Sequence, residues 1–433
     1  MYGCDNQKLT NLRPVPWREI MIKSYFRSLF VFVGLIVIFQ ILVLWVVHPR
    51  FINLVVTEWS DEQHFLETIR LFASGLTLDN LKHYEDMSGP LPFLVYALWG
   101  KIAGMGLLSL RGLSILLFVA TLLIFHRLAY LVSGDGRLAL GAGVLLMLNP
   151  YMAGLSFLIF TDMPTLFFLV LLCHAIYRSW HPSVFLFCAC VLLSRQYGVF
   201  LPIAGIMYAV FRFPQDKSVR RLITTVGTFC GAMLPLMALM VLWGGLCPDS
   251  NIRRIYAAET LRFHPSFLVL YTGTLFLMAF PLLLFHMKRI YGNANVLMGS
   301  FALSWFYWLM PVRATQYALD IGLHTVGIFD RLLELTVGIS VWRDIVFQAL
   351  FFLGLPVLYY FARSVIQSAL KKKVSFPCFM DISILSFFMV MPLSYLAWEK
   401  YFLLALPLVL LRVLMIDQTD TPAHIHQPEP YRR

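Results

Sequence analysis

The chain has 433 residues, of which 59% are hydrophobic and only 13% are charged, and its mean hydropathy is +0.75. A soluble domain would carry about a quarter charged residues, so this composition excludes an ordinary soluble protein and indicates an integral membrane protein. The net charge of +11 does not indicate a nucleic-acid partner, because Lys and Arg fall in short segments beside apolar runs, as the positive-inside rule predicts. The seven cysteines lack metal-ligand spacing and are interpreted as small hydrophobic residues.

Apolar runs near or above the roughly 18-residue threshold for a spanning helix recur between Ser28 and Ile416. Periodic β alternation is absent from the sequence. We therefore predict an all-α integral membrane protein with about 11 to 13 transmembrane helices. The first run follows a basic segment, and no small-residue cleavage site comes after it, so we interpret it as a retained span and not as a signal peptide.

The predicted domain organisation has three parts: a basic cytoplasmic tail at 1–27, a polytopic transmembrane domain at 28–416 and a polar cytoplasmic tail at 417–433. Within the transmembrane domain, 49–89 is predicted to be an external loop that carries candidate catalytic residues. A second long external loop is predicted at 310–343. Phe65, Ile69 and Phe72 have the spacing of one helix face, which predicts a short helix lying parallel to the membrane at 61–74.

The first external loop concentrates carboxylates. Seven of the 23 acidic residues of the chain lie between His48 and Ser88, namely Glu58, Asp61, Glu62, Glu67, Asp79, Glu85 and Asp86. Such a cluster close to a membrane surface lies where a soluble substrate could meet a lipid-bound one. The alternative is an ordinary solvated loop.

The course of the chain through the membrane between residues 137 and 211 can be assigned in two ways. If every apolar piece crosses the membrane, Asp162 faces the cytoplasm. If 138–160 enters and returns, Asp162 and Arg195 both face the acidic loop. Both solutions satisfy the positive-inside rule, and we prefer the second, because ionisable residues at membrane depth are tolerated mainly where a cavity hydrates or pairs them.

The candidate polar residues also have structural interpretations. Asp162 precedes Met163-Pro164 and could be a helix N-cap, and Arg195 could only pair with a carboxylate. The segment 398–401, Trp-Glu-Lys-Tyr, could be an interfacial anchor. His64 and His264 lack an HxxxH or HExxH spacing, so a polar role is favoured over metal binding.

The order of the motifs resembles the GT-C superfamily of membrane glycosyltransferases, most closely the dolichyl-phosphate-glucose-dependent alpha-1,2-glucosyltransferases. The motifs that carry the resemblance are Asp61-Glu62, the proline-led segment 89–96, Phe160-Thr161-Asp162, the segment 193–197 (Leu-Ser-Arg-Gln-Tyr), the segment 259–265 and the segment 399–402 (Glu-Lys-Tyr-Phe). Two segments depart from that family. Tyr197-Gly198 stands where the family has Thr-Asn, and 88–92 replaces a Thr-x-Pro-Gly-Leu type run.

The resemblance implies an inverting transfer on the lumenal or periplasmic face, from a polyprenyl-phosphate sugar donor to a lipid-linked or cell-surface glycan. Asp61 would be the general base, and Glu62 would orient or bind the acceptor. The residues that would bind the donor phosphate or sugar are Asp162, Arg195, Gln196, Arg262 and Lys400. No metal or other cofactor is expected, although a divalent cation stays an alternative.

Other classes remain open on the sequence alone. A multi-span transporter or lipid flippase would place charges along a translocation path, but it would also favour internal repeats, and the sequence shows none. A non-catalytic scaffold subunit is the third alternative. For the compartment, we favour a bacterial inner membrane over the endoplasmic reticulum membrane.

Overall fold

The structure is a computed structural model that describes residues 17–47, 58, 61–248, 262–320, 322–394 and 396–417. Within these ranges the chain forms α-helices and short 3₁₀ helices, and no β-strand is present. The prediction of an all-α protein is therefore confirmed for the described residues. Residues 1–16, most of 48–60 and the tail at 418–433 lie outside them.

The first half of the described chain contains α1 (Trp17–Val47), α2 (Glu62–Ser74), α3 (Leu78–His83), α4 (Leu91–Ala103), α5 (Leu107–Ser133), α6 (Gly136–Met147), α7 (Pro150–Leu155), α8 (Asp162–Tyr177), α9 (His181–Ser194), α10 (Phe200–Asp216) and α11 (Val219–Trp243). The second half contains α12 (Pro265–Leu283), α13 (Met287–Tyr291), α14 (Ala294–Ser304), α15 (Gln316–Asp320), α16 (Ile328–Val337), α17 (Val341–Leu370), α18 (Phe376–Val390) and α19 (Leu406–Leu414). The 3₁₀ helices are Gln196–Val199, Leu284–His286, Trp305–Leu309, Met391–Leu393 and Glu399–Leu404.

Seven helical segments among the described residues are long and apolar enough to cross a membrane. They are Ile22–Val46, Leu107–Ser133, Gln196–Asp216, Val219–Trp243, Pro265–Tyr291, Val341–Leu370 and Phe376–Leu393. Four shorter apolar helices, α4, α6, α8 and α9, lie among them. The chain is thus a multi-pass helical membrane protein, and the number of about 11 to 13 crossings stays a prediction.

The helix predicted at 61–74 is present as α2, and Phe65, Ile69 and Phe72 are all buried. Their partners belong to the protein: the ring of Phe65 lies 5.5 Å from that of Phe160, and the ring of Phe72 lies 5.3 Å from that of Tyr84. The apolar face of α2 is therefore covered by the bundle. A membrane surface is not needed to explain its periodicity.

Two of the predicted segments outside the membrane contain helix. α1 begins at Trp17, within the predicted tail at 1–27. The predicted loop at 310–343 contains α15 and α16 and overlaps the start of α17 at Val341. Polar residues at the end of a helix do not stop it when they can reach water or a partner, so the predicted boundaries stay predictions.

The C-terminal helix α19 lies at the centre of the bundle, and all of its residues are buried. It packs against α5, α6, α12 and α18, as expected of a short helix that is apolar all round. Its single cation, Arg412, donates from Nε to Asp381 of α18 at 2.6 Å. The 3₁₀ helix Glu399–Leu404 leads directly into α19, so the residues of this 3₁₀ helix are held by the core.

Candidate functional site

A buried carboxylate with two cations forms the centre of the candidate site. Asp162 is the first residue of α8, and its side chain is 2% exposed. Its Oδ2 atom lies 2.9 Å from Nη2 of Arg195 and 3.3 Å from Nζ of Lys400. Thr161 occupies the N-cap position, so Asp162 is not the N-cap. Arg195 therefore pairs with a carboxylate, as one of its interpretations from the sequence had it.

Local backbone structure explains how the two cations reach Asp162. Arg195 follows the last residue of α9 and has an extended conformation, with φ −142° and ψ 115°. This break in the helix points Arg195 away from the α9 axis and toward the N-terminus of α8. Lys400 comes from the 3₁₀ helix Glu399–Leu404, and its Nζ lies 5.0 Å from the centre of the Phe160 ring. Three distant segments of sequence therefore meet at one carboxylate.

Arg195 and Lys400 bring two positive charges to the single carboxylate of Asp162, and the buried Asp86 carboxylate near Arg195 offsets part of the excess. The Arg195 and Lys400 side chains are 13% and 19% exposed, so the charges lie in an environment that screens them weakly. The hydroxyl of Tyr197 and Nε of Arg195 are buried and have no hydrogen-bond partner within the described part of the chain. Tyr197 packs beside Tyr401, with ring centres 5.3 Å apart. The cluster thus offers two cations and unpartnered donors, which suit an oxyanion.

The segment 84–90 covers one side of this cluster. Its buried Asp86 accepts a hydrogen bond from the backbone N–H of Ser88 at 2.6 Å, and its other oxygen lies 3.5 Å from Nε2 of His64. Burial raises the pKa of Asp86 to about 6, against the opposing effects of Ser88, His64 and Arg195. The segment is attached to the end of α9, because the N–H of Gly89 donates to the carbonyl of Ser194 at 3.2 Å.

These contacts also locate Asp162 relative to the acidic loop. Asp86 lies near Arg195, and Ile159, three residues before Asp162, donates its backbone N–H to Glu62 at 2.9 Å. Asp162 and Arg195 therefore lie at the same end of the bundle as α2. This arrangement agrees with the second of the two chain paths, in which 138–160 enters and returns.

The side chain of Glu62 is held in the protein interior by hydrogen bonds. It is fully buried and accepts hydrogen bonds from Arg111 at 3.1 Å (Nε) and 2.5 Å (Nη2), in addition to the bond from Ile159. A carboxylate held in this way cannot turn to an acceptor, so the predicted role of Glu62 in orienting the acceptor is not supported by its geometry. Asp61 is exposed, and its side chain makes no cap hydrogen bond to α2. Asp61 is therefore open to a substrate.

Two of the residues predicted to bind the donor, Gln196 and Arg262, contribute no free polar group to the cluster. The amide nitrogen of Gln196 donates to the carbonyls of Met87 at 2.8 Å and Leu246 at 3.2 Å, so it ties the segment 84–90 to the segment after α11. Arg262 is exposed and forms no ion pair with another residue in the described ranges. The structure therefore keeps Asp162, Arg195 and Lys400 together and leaves Gln196 and Arg262 outside.

The interpretation of 398–401 as an interfacial anchor is wrong. Glu399 and Tyr401 are buried, and the Glu399 carboxylate accepts hydrogen bonds from the Tyr151 hydroxyl at 2.9 Å and from the backbone N–H groups of Phe329 and Asp330. Burial raises the pKa of Glu399 to about 7. Glu399 thus caps the N-terminus of α16, while its neighbour Lys400 faces Asp162.

Among the described residues, no group of three or more His, Cys, Asp or Glu side chains is arranged to hold a metal ion. His64 contacts Asp86, and His264 stacks on Phe267 with ring centres 4.9 Å apart. The two histidines therefore have polar and packing contacts of their own.

Sequence reasoning assigned no role to Asp86, Tyr197 or Arg111. Asp86 is one of seven acidic residues in its loop, and the sequence does not distinguish it from the other six. Tyr197 is distinguished only by its departure from the Arg-Gln-Thr-Asn pattern of the family. Arg111 lies inside α5 and is paired with Glu62. A charge near the end of an apolar run could have indicated a buried partner.

Comparisons of the chain with protein-family models, with curated protein sequences and with solved structures give no match. The resemblance to the GT-C superfamily therefore rests on the short sequence motifs alone.

Proposed function

We propose that the chain is an inverting glycosyltransferase that moves a hexose, such as glucose, from a polyprenyl-phosphate sugar to a lipid-linked or cell-surface glycan. The observation that supports this proposal is the pair of cations, Arg195 and Lys400, on the single buried carboxylate of Asp162. A polyprenyl-phosphate sugar is a phosphodiester with one negative charge. The two cations and the unpartnered donors beside them complement that charge.

The same cluster would assist the chemistry. The acceptor hydroxyl gives its proton to the exposed carboxylate of Asp61, and its oxygen attacks the anomeric carbon. The bond between that carbon and the phosphate oxygen breaks, and its electron pair stays on the departing polyprenyl phosphate. Arg195 and Lys400 would stabilise the second negative charge that develops there, and Nε of Arg195 and the Tyr197 hydroxyl would donate hydrogen bonds to it.

The reaction as proposed needs no metal or organic cofactor, because protein cations can stabilise a departing monophosphate. Its site would lie on the lumenal or periplasmic face, where the positive-inside rule places the acidic loop. A bacterial inner membrane and the endoplasmic reticulum differ in the carrier lipid, which is undecaprenyl in the first and dolichyl in the second.

A transporter or flippase is the second candidate, and the ion pair between Asp381 and Arg412 favours it, because both side chains are fully buried within the bundle. Arg412 is, however, held by several groups at once: it also donates to Ser364 at 3.1 Å and lies over the ring of Tyr360 at 5.4 Å. A cation fixed on three sides suits a permanent structural pair better than a step on a translocation path.

The proposal is tested by transfer of labelled sugar from a panel of undecaprenyl- and dolichyl-phosphate sugars to extracted lipid-linked glycans. Purified wild-type protein is compared with Asp61→Asn and with Glu67→Gln, which changes another exposed carboxylate of the same segment. We expect transfer from one class of donor, loss of transfer in Asp61→Asn and full activity in Glu67→Gln. Absence of transfer by folded wild-type protein from every donor would contradict the proposal and favour the transporter.

A further inference from the structure

Helix α16 carries a stripe of apolar side chains that no described residue covers. Ile328, Leu332 and Leu335 are exposed, as is Ile339 just beyond the helix, and Leu335 and Ile339 are 76% and 83% exposed. Ile328, Leu332 and Leu335 are spaced by four and three residues, which places them on one side of the helix. Large apolar side chains exposed in a row mark an interaction surface.

Polar contacts with the rest of the protein hold the N-terminal part of α16 and fix its orientation. Asp330 is fully buried and accepts a hydrogen bond from Nε of Arg343 at 2.6 Å. The Glu399 carboxylate accepts the backbone N–H groups of Phe329 at 3.0 Å and Asp330 at 3.1 Å. Since these contacts hold the N-terminus and the inner side of α16, the helix cannot roll to bury its apolar stripe in the protein.

The apolar stripe is continuous with the lipid-facing surface of the bundle. Val341 and Trp342, at the start of the spanning helix α17, are 55% and 64% exposed. Trp305 and Trp308 of the neighbouring 3₁₀ helix are also exposed, and Trp308 donates a hydrogen bond to Gln348 of α17 at 3.0 Å. Exposed tryptophans at the end of a spanning helix are typical of the boundary between lipid and water.

We propose that α16 lies on the bilayer surface at the end of the bundle that holds the candidate site, with its apolar stripe inserted among the lipid headgroups. The partner is the phospholipid leaflet itself. This arrangement requires only that α17 crosses the membrane and holds whether or not the protein transfers sugars. Binding would follow from burial of four large apolar side chains in the interface.

The location has a consequence for the candidate site. Glu399 caps α16 and directly precedes Lys400, which contacts Asp162. A helix seated in the lipid surface would therefore hold the segment that carries Lys400 at the depth where a lipid-linked phosphate lies.

The test uses full-length protein in phosphatidylcholine nanodiscs, with single cysteines introduced as Leu335→Cys, Ile339→Cys or Arg331→Cys and labelled with bimane. The background carries Cys230→Ser, because Cys230 is exposed, and Cys4→Ser. Fluorescence quenching is measured with a lipid that bears a nitroxide near its headgroup and, separately, with a water-soluble nickel quencher. Arg331 is the matched control, since it is exposed on the edge of the same helix.

We expect the lipid quencher to act at least threefold more strongly at 335 and 339 than at 331, and the aqueous quencher to show the reverse order. Equal access of the aqueous quencher to all three positions would overturn the proposal, because the stripe would then face water. Protection of 335 and 339 from both quenchers would also overturn it, because a protein surface, including a second copy of the chain, would then cover the stripe.

Discussion

The ion pair between Glu62 and Arg111 makes a strong prediction about stability. Both side chains are almost completely inaccessible to water, and Arg111 reaches the carboxylate with two nitrogens. Glu62→Gln keeps an acceptor for the N–H of Ile159 but removes the carboxylate charge that pairs with the buried guanidinium of Arg111. Breaking a buried pair in this way costs about 3–5 kcal/mol, whereas an exposed pair contributes about 1 kcal/mol or less.

That cost corresponds to a change of roughly a hundredfold to a few thousandfold in the unfolding equilibrium. It can be measured by reversible unfolding in mixed micelles with an increasing fraction of dodecyl sulfate. Glu67→Gln on the same helix is exposed and should change the free energy of unfolding by no more than about 0.5 kcal/mol. The double variant Glu62→Gln/Arg111→Met should recover part of the loss, because it removes the uncompensated charge. If Glu62→Gln and Glu67→Gln unfold at the same dodecyl sulfate fraction, the structural role assigned to Glu62 is wrong.

Three further predictions follow from other contacts. Because burial raises the pKa of Glu399 to about 7 from its ordinary value of 4.5, the folded protein binds this proton more tightly than the unfolded chain, and stability should fall as the pH rises from about 5 to about 7. Glu399→Gln should lack that part of the pH dependence of the melting temperature, and an unchanged profile would refute the assignment. Gly89→Ala would place a Cβ against the carbonyl oxygen of Leu193 and should lower the free energy of unfolding by about 1–3 kcal/mol. Gly141→Ala has open space around its Cβ and should leave that free energy unchanged or raise it by up to about 1 kcal/mol. Equal stability of the two variants would contradict the packing around Gly89. Asp61→Asn should leave the free energy of unfolding within about 0.5 kcal/mol of wild type and reduce transfer by about 10²-fold or more, so a loss of both would indicate a structural role.

The long spans could be predicted from the sequence because the bilayer imposes a simple requirement. A helix that crosses it needs roughly 20 mostly apolar residues, and the runs that became α5, α11 and α17 satisfy this. The same rule does not explain Arg111, a charged residue inside the span α5. Its partner Glu62 is 49 residues away in the chain, and a hydropathy profile does not show contacts between residues that are distant in sequence.

The candidate site was predictable in part. Asp162, Arg195 and Lys400 stood out as ionisable residues beside apolar runs, and they do meet. The sequence could not predict which of Asp61 and Glu62 is exposed and which is buried, because two adjacent carboxylates in an acidic loop have the same sequence environment. Only the direction of each side chain at the start of α2 separates the exposed Asp61 from the buried Glu62.

In the proposed reaction, Arg195 and Lys400 bind the phosphate of a lipid carrier. The most direct test of this claim is the affinity of a short-chain polyprenyl monophosphate for the wild-type protein in nanodiscs and for Lys400→Met, with Lys101→Met as the control because Lys101 is exposed. Loss of one charge-assisted hydrogen bond costs about 1.5–3 kcal/mol, so Lys400→Met should bind about ten- to a hundredfold more weakly and Lys101→Met as tightly as wild type. Equal binding by Lys400→Met and wild type, or no binding by any folded protein, would contradict the claim.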